Sequence, residues 1–471
     1  MVSYKYLASD GNFTYRSPLG IETSRSNSDL TSHGVFAKGT WSFGEEALPK
    51  SLSMSGQYFH QKGGSPGAID QLKPLARKKN QNESINLVYE QKLGSPYNSV
   101  RFQTYYQNSE FLFDDPDPYI PEHAYNHSIA AGAELQGRVV LNVWNAATSG
   151  YAYRGDRVSS TSFEGKRERG LHSIYLQDEF SPFLPEGSLI RRIVAIPAVR
   201  WDRFSDFGGR LSPKIGVVLS TGDPWQASFK TNYGSSFRAP SFNDLYWPKD
   251  SYSKGNPDLK PERGRDFDIG VMFRNPSLLG MGVDLTFFSN SVEELILWQP
   301  NALGIWTPEN VGKASIKGVE TRVSVNPWKD LLHLEWNYTY LDARNKTEEA
   351  NQIDRQLPYR PKNVHNLSAR VDLSWFYLLA NVSYSGKRYT NTANTVTLEP
   401  YHASNILTGY KPPFTPQWLE MKLEVKNLED LEYQMMDGFP MPGREYRFSI
   451  EVKLSHDKET NQTPEEHTGN P

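Results

Sequence analysis

The feature that most constrains this chain is a two-residue rhythm of apolar and polar side chains that recurs along almost its whole length. Near the end, Tyr446, Phe448, Ile450, Val452 and Leu454 are interleaved with Arg447, Ser449, Glu451 and Lys453. Just before, Leu419, Met421, Leu423 and Val425 alternate with Glu420, Lys422, Glu424 and Lys426. Successive side chains point to opposite faces of a strand, so each segment has one oily face and one ionic face. Repeated through 471 residues, the pattern requires an apolar solvent on one side of a sheet and water on the other. A transmembrane antiparallel β-barrel meets that requirement. A soluble protein of many hairpins shares the period, but its second face would then be a core, and here that face is ionic.

Composition fits the barrel once helices are set aside. No run approaches the roughly 20 apolar residues of a spanning helix, and the hydrophobic fraction is 37%. A barrel strand needs only every second residue apolar. The aromatic content of 13% suits girdles at two membrane interfaces. A net charge of -3, with no arginine-rich arm, gives no field for nucleic acid. The absence of cysteine excludes disulfides and thiolate metal sites. The start, Met1-Val2-Ser3-Tyr4-Lys5-Tyr6, lacks the basic and apolar regions of a signal peptide. A secreted barrel requires one, so processing or truncation is expected to have removed it.

About twenty strand segments are legible by this period, among them 3–8, 28–43, 50–61, 125–136, 138–153, 282–296, 312–325 and 444–454. The gaps alternate in length. Those after odd-numbered segments are long: 9–27, 62–82, 109–124, 154–166, 236–262, 297–311, 343–363, 388–401 and 429–443, with 204–211 the short member. Those after even-numbered segments are tight turns such as Gly94-Ser95-Pro96-Tyr97, Thr221-Gly222-Asp223-Pro224 and Asn326-Pro327-Trp328. One rim therefore carries short turns and both chain ends, and the other carries large loops. The expected organisation is a barrel over 1–455 followed by a polar tail over 456–471.

Few residues suggest chemistry. Gly63-Gly64-Ser65-Pro66-Gly67 matches the spacing of a serine-hydrolase elbow, but no helical pattern follows it. The histidines lack metal-ligand spacing. Asp114-Asp115-Pro116-Asp117 offers carboxylates to a calcium ion, although such loop clusters are more often simply solvated. No catalytic residue, metal site or cofactor is assigned, and the chain reads as a non-enzyme. The loop aromatics Tyr246, Trp247, Tyr252 and Trp306 are the ligand-binding candidates, as an entrance for an apolar or aromatic solute; loop packing or a girdle is their plainer role. Lys230 and Arg238 are expected to face the lumen by parity if Ala227, Phe229, Thr231 and Tyr233 face lipid. Asn256-Pro257 initiates a turn, and Pro240 and Pro261 mark strand ends because they cannot donate to a ladder. Gly318 within a strand predicts a bulge or a close approach by another backbone.

Several segments, in order, resemble the barrel of TonB-dependent outer-membrane receptors. The first is Gly234-Ser235-Ser236-Phe237-Arg238-Ala239-Pro240-Ser241-Phe242-Asn243-Asp244-Leu245-Tyr246, followed by Gly255-Asn256-Pro257-Asp258-Leu259-Lys260-Pro261-Glu262. Next come Asn310-Val311-Gly312-Lys313-Ala314-Ser315-Ile316-Lys317-Gly318-Val319-Glu320 and Leu357-Pro358-Tyr359-Arg360-Pro361. Val425-Lys426-Asn427-Leu428, with Tyr433 and Pro440-Met441-Pro442-Gly443-Arg444, is similar to the family's final hairpin. Phe13-Tyr15-Arg16 and Gly64-Ser65-Pro66-Gly67 fit its early loops.

The resemblance implies an outer-membrane receptor of a Gram-negative bacterium, taking up a metal-siderophore, vitamin B12 or similar scarce solute with energy from the TonB complex. Its partners would be outer-membrane lipid and a small-molecule ligand such as a metal chelate. Receptors of this kind begin with a plug domain that engages TonB, and their barrels have 22 strands; with about twenty segments legible and no plug among them, the first two strands are expected to be missing from this sequence as well. The expectation is a barrel that does not perform coupled transport without its plug, the alternative being an ungated diffusion pore or a non-functional fragment. A sheet short of strands has two unpaired edges that lipid cannot satisfy. Either a seam or a first strand moved against 444–454 is therefore expected.

Overall fold

The computed structural model describes residues 1–17, 19–119, 121–223, 225–247, 254–300, 306–328, 331–348, 352–414 and 419–452. Twenty antiparallel strands form one sheet. They are β1 (Val2–Ser9), β2 (Leu30–Phe43), β3 (Lys50–Gly64), β4 (Arg77–Lys92), β5 (Ser99–Asp115), β6 (Glu122–Asn142) and β7 (Asn145–Ser160). Next are β8 (Phe163–Phe180), β9 (Ile190–Phe204), β10 (Gly208–Thr221), β11 (Gln226–Arg238), β12 (Glu262–Asn275), β13 (Met281–Pro300) and β14 (Trp306–Trp328). The last six are β15 (Leu332–Asn345), β16 (Asn363–Leu373), β17 (Phe376–Ser385), β18 (Tyr401–Tyr410), β19 (Leu419–Lys426) and β20 (Glu445–Val452). Each pairs with its neighbour in chain order, from β1 with β2 through β19 with β20. One five-residue helix, α1 (Phe242–Tyr246), sits in the loop between β11 and β12. The tail 456–471 lies outside the described residues.

The alternation sorts as a membrane barrel requires. Across the last ladder Leu423 faces Phe448 and Val425 faces Tyr446. Leu423, Phe448 and Tyr446 are exposed, Leu423 by 46% and Tyr446 by 70%, and Val425 is half-buried between them. On the opposite face Lys422 Nζ lies 3.3 Å from Glu420 and 2.7 Å from Glu451. The same parity runs round the sheet: Ile174, Tyr151, Leu135 and Phe102 are exposed on one face. On the other, Tyr175 donates to Glu134 at 2.7 Å and Asn232 to Asp268 at 2.8 Å. Tyr233 is exposed on the face opposite to Lys230 and Arg238, as parity predicts, and Arg238 is ion-paired with Glu262.

The sheet does not close. Among the described residues no ladder joins β1 to β20, and these two strands are exposed along nearly their whole length. The predicted seam is therefore present. On the long-loop side it is bridged by loops: Ile69 N donates to Gly438 O at 2.8 Å, and Arg16 Nε lies 3.7 Å from Glu432.

Two sequence expectations need correction. The boundary drawn between 125–136 and 138–153 is misplaced, because Gly137 lies inside β6, opposite Val100 and Ser149. The chain turns instead at Asn142–Asn145, where the Asn142 side-chain oxygen Oδ1 accepts from the amides of Trp144 at 2.8 Å and Asn145 at 3.1 Å. An Asx turn of this kind needs no glycine. The long gaps 109–124, 154–166 and 297–311 are also largely sheet: β5 and β6, β7 and β8, and β13 and β14 run on past the apolar band as polar hairpins. Their charged residues hide strand character from a search for greasy alternation.

Candidate functional site

The long-loop rim holds two assemblies. The first is built by the β11–β12 loop. Ser241 caps α1, accepting from Asp244 N at 3.1 Å, while Asp244 Oδ2 accepts from Ser241 N at 2.9 Å. Leu245, Leu259 and Ile296 form a small buried cluster, with Tyr246 packed against it. Asn256 donates from Nδ2 to Pro308 O at 3.0 Å, and Asn310 bonds both the amide and the carbonyl of Lys260 at 2.7 Å. Gly255 lets the backbone pass close: a β-carbon there would lie 2.5 Å from Trp247 N. Arg169 on β8 is buried, pairs with Asp206 at 2.7 Å and donates to Pro240 O at 3.0 Å. The sequence segments that look most distinctive here are thus clasps that fold one loop onto β8, β13 and β14.

The aromatic candidates are distributed by that clasp. The Arg167 guanidinium stands 4.6 Å over the Tyr246 ring, and Trp247 meets Trp298 edge-on at 6.3 Å. Trp298 in turn donates from Nε1 to Asp244 at 3.0 Å. Trp306 opens β14 and is 49% exposed, its carbonyl accepting from Lys254 N at 2.9 Å. Tyr252 lies outside the described residues. Tyr246 and Trp247 are brought together with Trp298, which sequence reading missed; Trp306 is tied to them through Lys254 and Gly255.

The second assembly lies on the other arc of the rim, over the seam. Loops from β1–β2, β3–β4, β15–β16 and β19–β20 border an open cavity of 710 Å³ whose lining includes Arg16, Asp70, Tyr359, Glu432, Gln434 and Asp437. That volume falls in the range of small-molecule sites. Two buried arginines brace it from behind. Arg25 donates to Gly67 O and Arg388 to Gln434 O, the latter at 2.7 Å; neither forms an ion pair among the described residues, and each keeps a buried nitrogen without a partner. Tyr359 holds a left-handed backbone, φ 57°, locked by its amide donating to Tyr389 O at 2.8 Å. A tyrosine in that region costs on the order of 1 kcal/mol and persists only where its surroundings impose it. Asn427, buried at the end of β19 with φ 48°, ties the last loop by accepting from Leu431 N at 2.8 Å and donating to Leu431 O at 2.9 Å. Tyr433, stacked on Tyr401 at 4.3 Å, has its hydroxyl pKa raised by burial.

The remaining polar candidates separate. Asp115 is buried against Lys73 at 3.3 Å, Asp114 lies 3.1 Å from His123 Nδ1, and Asp117 accepts from Tyr119 N at 2.8 Å. Strand parity sends Asp114 and Asp115 to opposite faces, so the acidic run does not converge. Gly64 ends β3, and Gly67–Ala68 then pairs with Gln71–Leu72, so strand rather than helix follows Ser65. Gly318 has its close approach without a bulge at 318: a β-carbon would meet the Tyr340 carbonyl and the Phe288 ring.

Comparison with known proteins agrees with this geometry. The family described as TonB dependent receptor-like, beta-barrel, matches residues 55–428. The chain is 28% identical over 312 residues to the vitamin B12 transporter BtuB of Photobacterium profundum, covering 65% of this chain and 47% of that one. It is 30% identical over 280 residues to BtuB of Vibrio vulnificus, covering 57% and 39%. The chain thus spans less than half of the length of these curated relatives. Among solved structures, the FrpB iron transporter of Neisseria meningitidis (F3-3 variant) superposes with a TM-score of 0.76 at 16% identity, covering 96% of this chain and 76% of that one. The copper transporter OprC superposes with a TM-score of 0.75 at 15% identity, covering 96% and 75%. These proteins are transporters by name, and the chain belongs to the TonB-dependent receptor β-barrel family.

Proposed function

We propose that this barrel forms the outer-membrane wall and surface vestibule of an importer for a metal chelate or a corrinoid such as vitamin B12. The observation that carries the reading is the division of one twenty-stranded sheet into a lipid-bathed apolar face and a lumen lined by ion pairs, with the large loops confined to one rim. Family membership supplies the link to energised uptake, and the named relatives supply the solute class. The solute enters over the rim, where the 710 Å³ cavity and the aromatics Trp306, Tyr246, Trp247 and Tyr252 are the contact candidates.

Coupling to TonB runs through a plug in this family, so these 471 residues acting alone bind solute without importing it. The test uses cells lacking their own cobalamin receptor. Cells producing this chain should retain labelled cyanocobalamin or a ferric siderophore at the surface without energy-dependent accumulation. Accumulation that disappears on deleting TonB would overturn the second half of the reading, and no surface retention of either solute would overturn the first. The open edge between β1 and β20 favours a second reading, a leaky pore. Planar bilayers test it: steady current supports a pore, since an unplugged lumen conducts, and no current supports an inert fragment.

A further inference from the structure

Eight of the ten histidines lie among the described residues, and six of these eight share one kind of position. His33 on β2 stands two residues from exposed Val35, His60 on β3 from exposed Tyr58, His172 on β8 from exposed Ile174, and His365 on β16 from exposed Leu367. Strand parity puts each on the lipid-facing side, as the first side chain above the apolar run toward the loops. His127 on β6 stands likewise above Ile129 and exposed Leu135, and His402 on β18 faces exposed Tyr384 across its ladder. The other two are His123, 3.1 Å from Asp114 and higher on its hairpin, and His333, on the lumen side of β15. The six occupy only the arc that runs from β16 through the seam to β8; β9–β15 carry none on that face.

Tyrosines flank the row. Tyr4 Oη lies 2.9 Å from His33 Nδ1, and Tyr151 Oη lies 2.7 Å from His172 Nδ1. The rings of Tyr6 and Tyr153 stand 5.0 Å from the same two histidines. His365 stacks on Tyr338 at 4.6 Å and lies 5.6 Å from Tyr384, and His127 is 6.5 Å from Tyr125. A neutral imidazole has the amphipathic character that places tyrosine at a membrane interface, and it accepts from the tyrosine hydroxyl. As a cation it donates to the same oxygen, so the pairing permits both states and only the charge differs. Histidine is the side chain whose charge changes between pH 5 and 8.

The groups facing the row leave it close to neutral before the histidines titrate. His33 and His60 face each other, with Lys62 beside them, and Gln81 faces His60 between Lys79 and Glu83. Glu110 faces His127 from β5, while Arg157 stands diagonal to it on β7, paired with Glu168 at 2.7 Å. Arg203 faces His172 from β9. Tyr338 and Tyr384 face His365, and Glu429, which accepts from Ser404 N at 3.0 Å, stands near His402. Counting Arg157 and Glu168 as neutral, the carboxylates of Glu83, Glu110 and Glu429 balance Lys62, Lys79 and Arg203. Mild acid then adds as many as six positive charges to this edge of the band.

The opposite edge is marked by exposed Trp144, Trp225, Trp328 and Trp375, which carry no charge at any pH. Only the loop-side edge can move. Withdrawing one outward position removes two residues of strand, roughly 6.6 Å, which at a tilt of about 40° is roughly 5 Å of height. We propose that the histidine row is a titratable upper boundary of the lipid-facing band, whose protonation lowers that boundary on the seam arc alone, so that in acid the barrel tilts and seats best in a thinner bilayer. This rests on the reading that the apolar face is bathed in lipid. The device needs no particular headgroup, because its cost falls on charges drawn into hydrocarbon.

The test refolds the full chain into vesicles of dilauroyl or dioleoyl phosphatidylcholine, thin and thick, at about pH 7.5 and about pH 5.5, either side of the histidine range. Urea titration gives the folding constant in each, with the folded fraction read by heat-dependent gel mobility. The thin-to-thick ratio of folding constants should rise roughly tenfold in acid, and glutamine at all six positions should abolish the rise. Should that variant not fold, His33→Gln with His172→Gln should reduce the rise, and His33→Arg with His172→Arg should bring part of it to neutral pH. A ratio independent of pH, a rise undiminished by the glutamine variants, or a midpoint in the carboxylate range near pH 4 would overturn the proposal. Recovery of a folded chain from water without lipid or detergent would defeat the membrane reading itself; lipid-dependent folding with a pH-independent ratio defeats only this inference.

Discussion

Lys422 on β19 reaches Glu451 on β20 at 2.7 Å, while its neighbour Leu423 points the other way and is 46% exposed. Two adjacent residues thus report two solvents. A positive charge on the lipid face near the midplane costs roughly 2–4 kcal/mol, whereas changes facing the lumen are tolerated. Leu423→Arg should therefore prevent most of the chain from folding into phosphatidylcholine vesicles, and Lys422→Gln should not. The fraction folded, read by heat-dependent gel mobility, checks both. Equal folding of the two variants would mean that the apolar face is not in hydrocarbon.

Arg169 on β8 pairs with Asp206 in the β9–β10 turn and donates to Pro240 O in the β11–β12 loop; the ion pair is largely buried, with side chains 9% and 16% exposed. Removing one partner strands the other charge, a loss of about 3 kcal/mol for a buried pair. Arg169→Gln should free the α1 loop, raising its cleavage rate by added protease while leaving the barrel intact. Cleavage unchanged from the parent would show that the Asn256 and Asn310 contacts hold the loop without Arg169.

How much of this was readable in advance depends on the scale of the force involved. Strand number and facing came from hydrophobic partition, which writes its period directly into residues such as 419–426. The turn at Asn142 was missed because a side-chain carbonyl did what a glycine was expected to do. Hairpin extensions such as 306–311 were missed because outside the lipid band polarity no longer alternates. The motif residues Asn256 and Asn310 were recognised as distinctive, but their role as clasps became visible only once residues some fifty positions apart were side by side. The cavity over the seam was illegible: Arg16, Asp70, Tyr359 and Asp437 come from four loops, and no local pattern joins them.

Acid should loosen the loops on one side of the seam. Arg77 hydrogen-bonds both carboxylate oxygens of Asp29, at 2.6 and 2.7 Å, and holds this carboxyl below its usual range. A group with a depressed folded pKa contributes stability that is present above its unfolded value, about 3.9 for aspartate, and is lost as pH falls through the folded value. Both side chains are about half exposed, so screening keeps the effect modest. Hydrogen exchange of Asn27–Asp29 should stay constant from neutral pH down to the aspartate range, after intrinsic correction, and rise below it. The rise should vanish in Asp29→Asn. A transition near pH 6 would implicate a histidine instead, and the clasp would not be its cause.

Tyr359 provides a way to separate strain from purpose. Its φ of 57° is a conformation that glycine adopts freely and tyrosine does not, yet its side chain is part of the 710 Å³ cavity. If the loop merely tolerates tyrosine, Tyr359→Gly relieves the strain and changes nothing else. If the ring is held there to meet solute, the substitution should leave thermal stability unchanged or raise it by up to about 1 kcal/mol, while binding of the solute weakens. Tyr359→Phe should keep most of the binding, because the aromatic face is retained, and should keep the strain. The pairing of outcomes matters more than either alone: a less stable Tyr359→Gly protein that binds normally would make residue 359 an architectural element of the β15–β16 loop, and the solute would have to be sought at the Trp306 side of the rim.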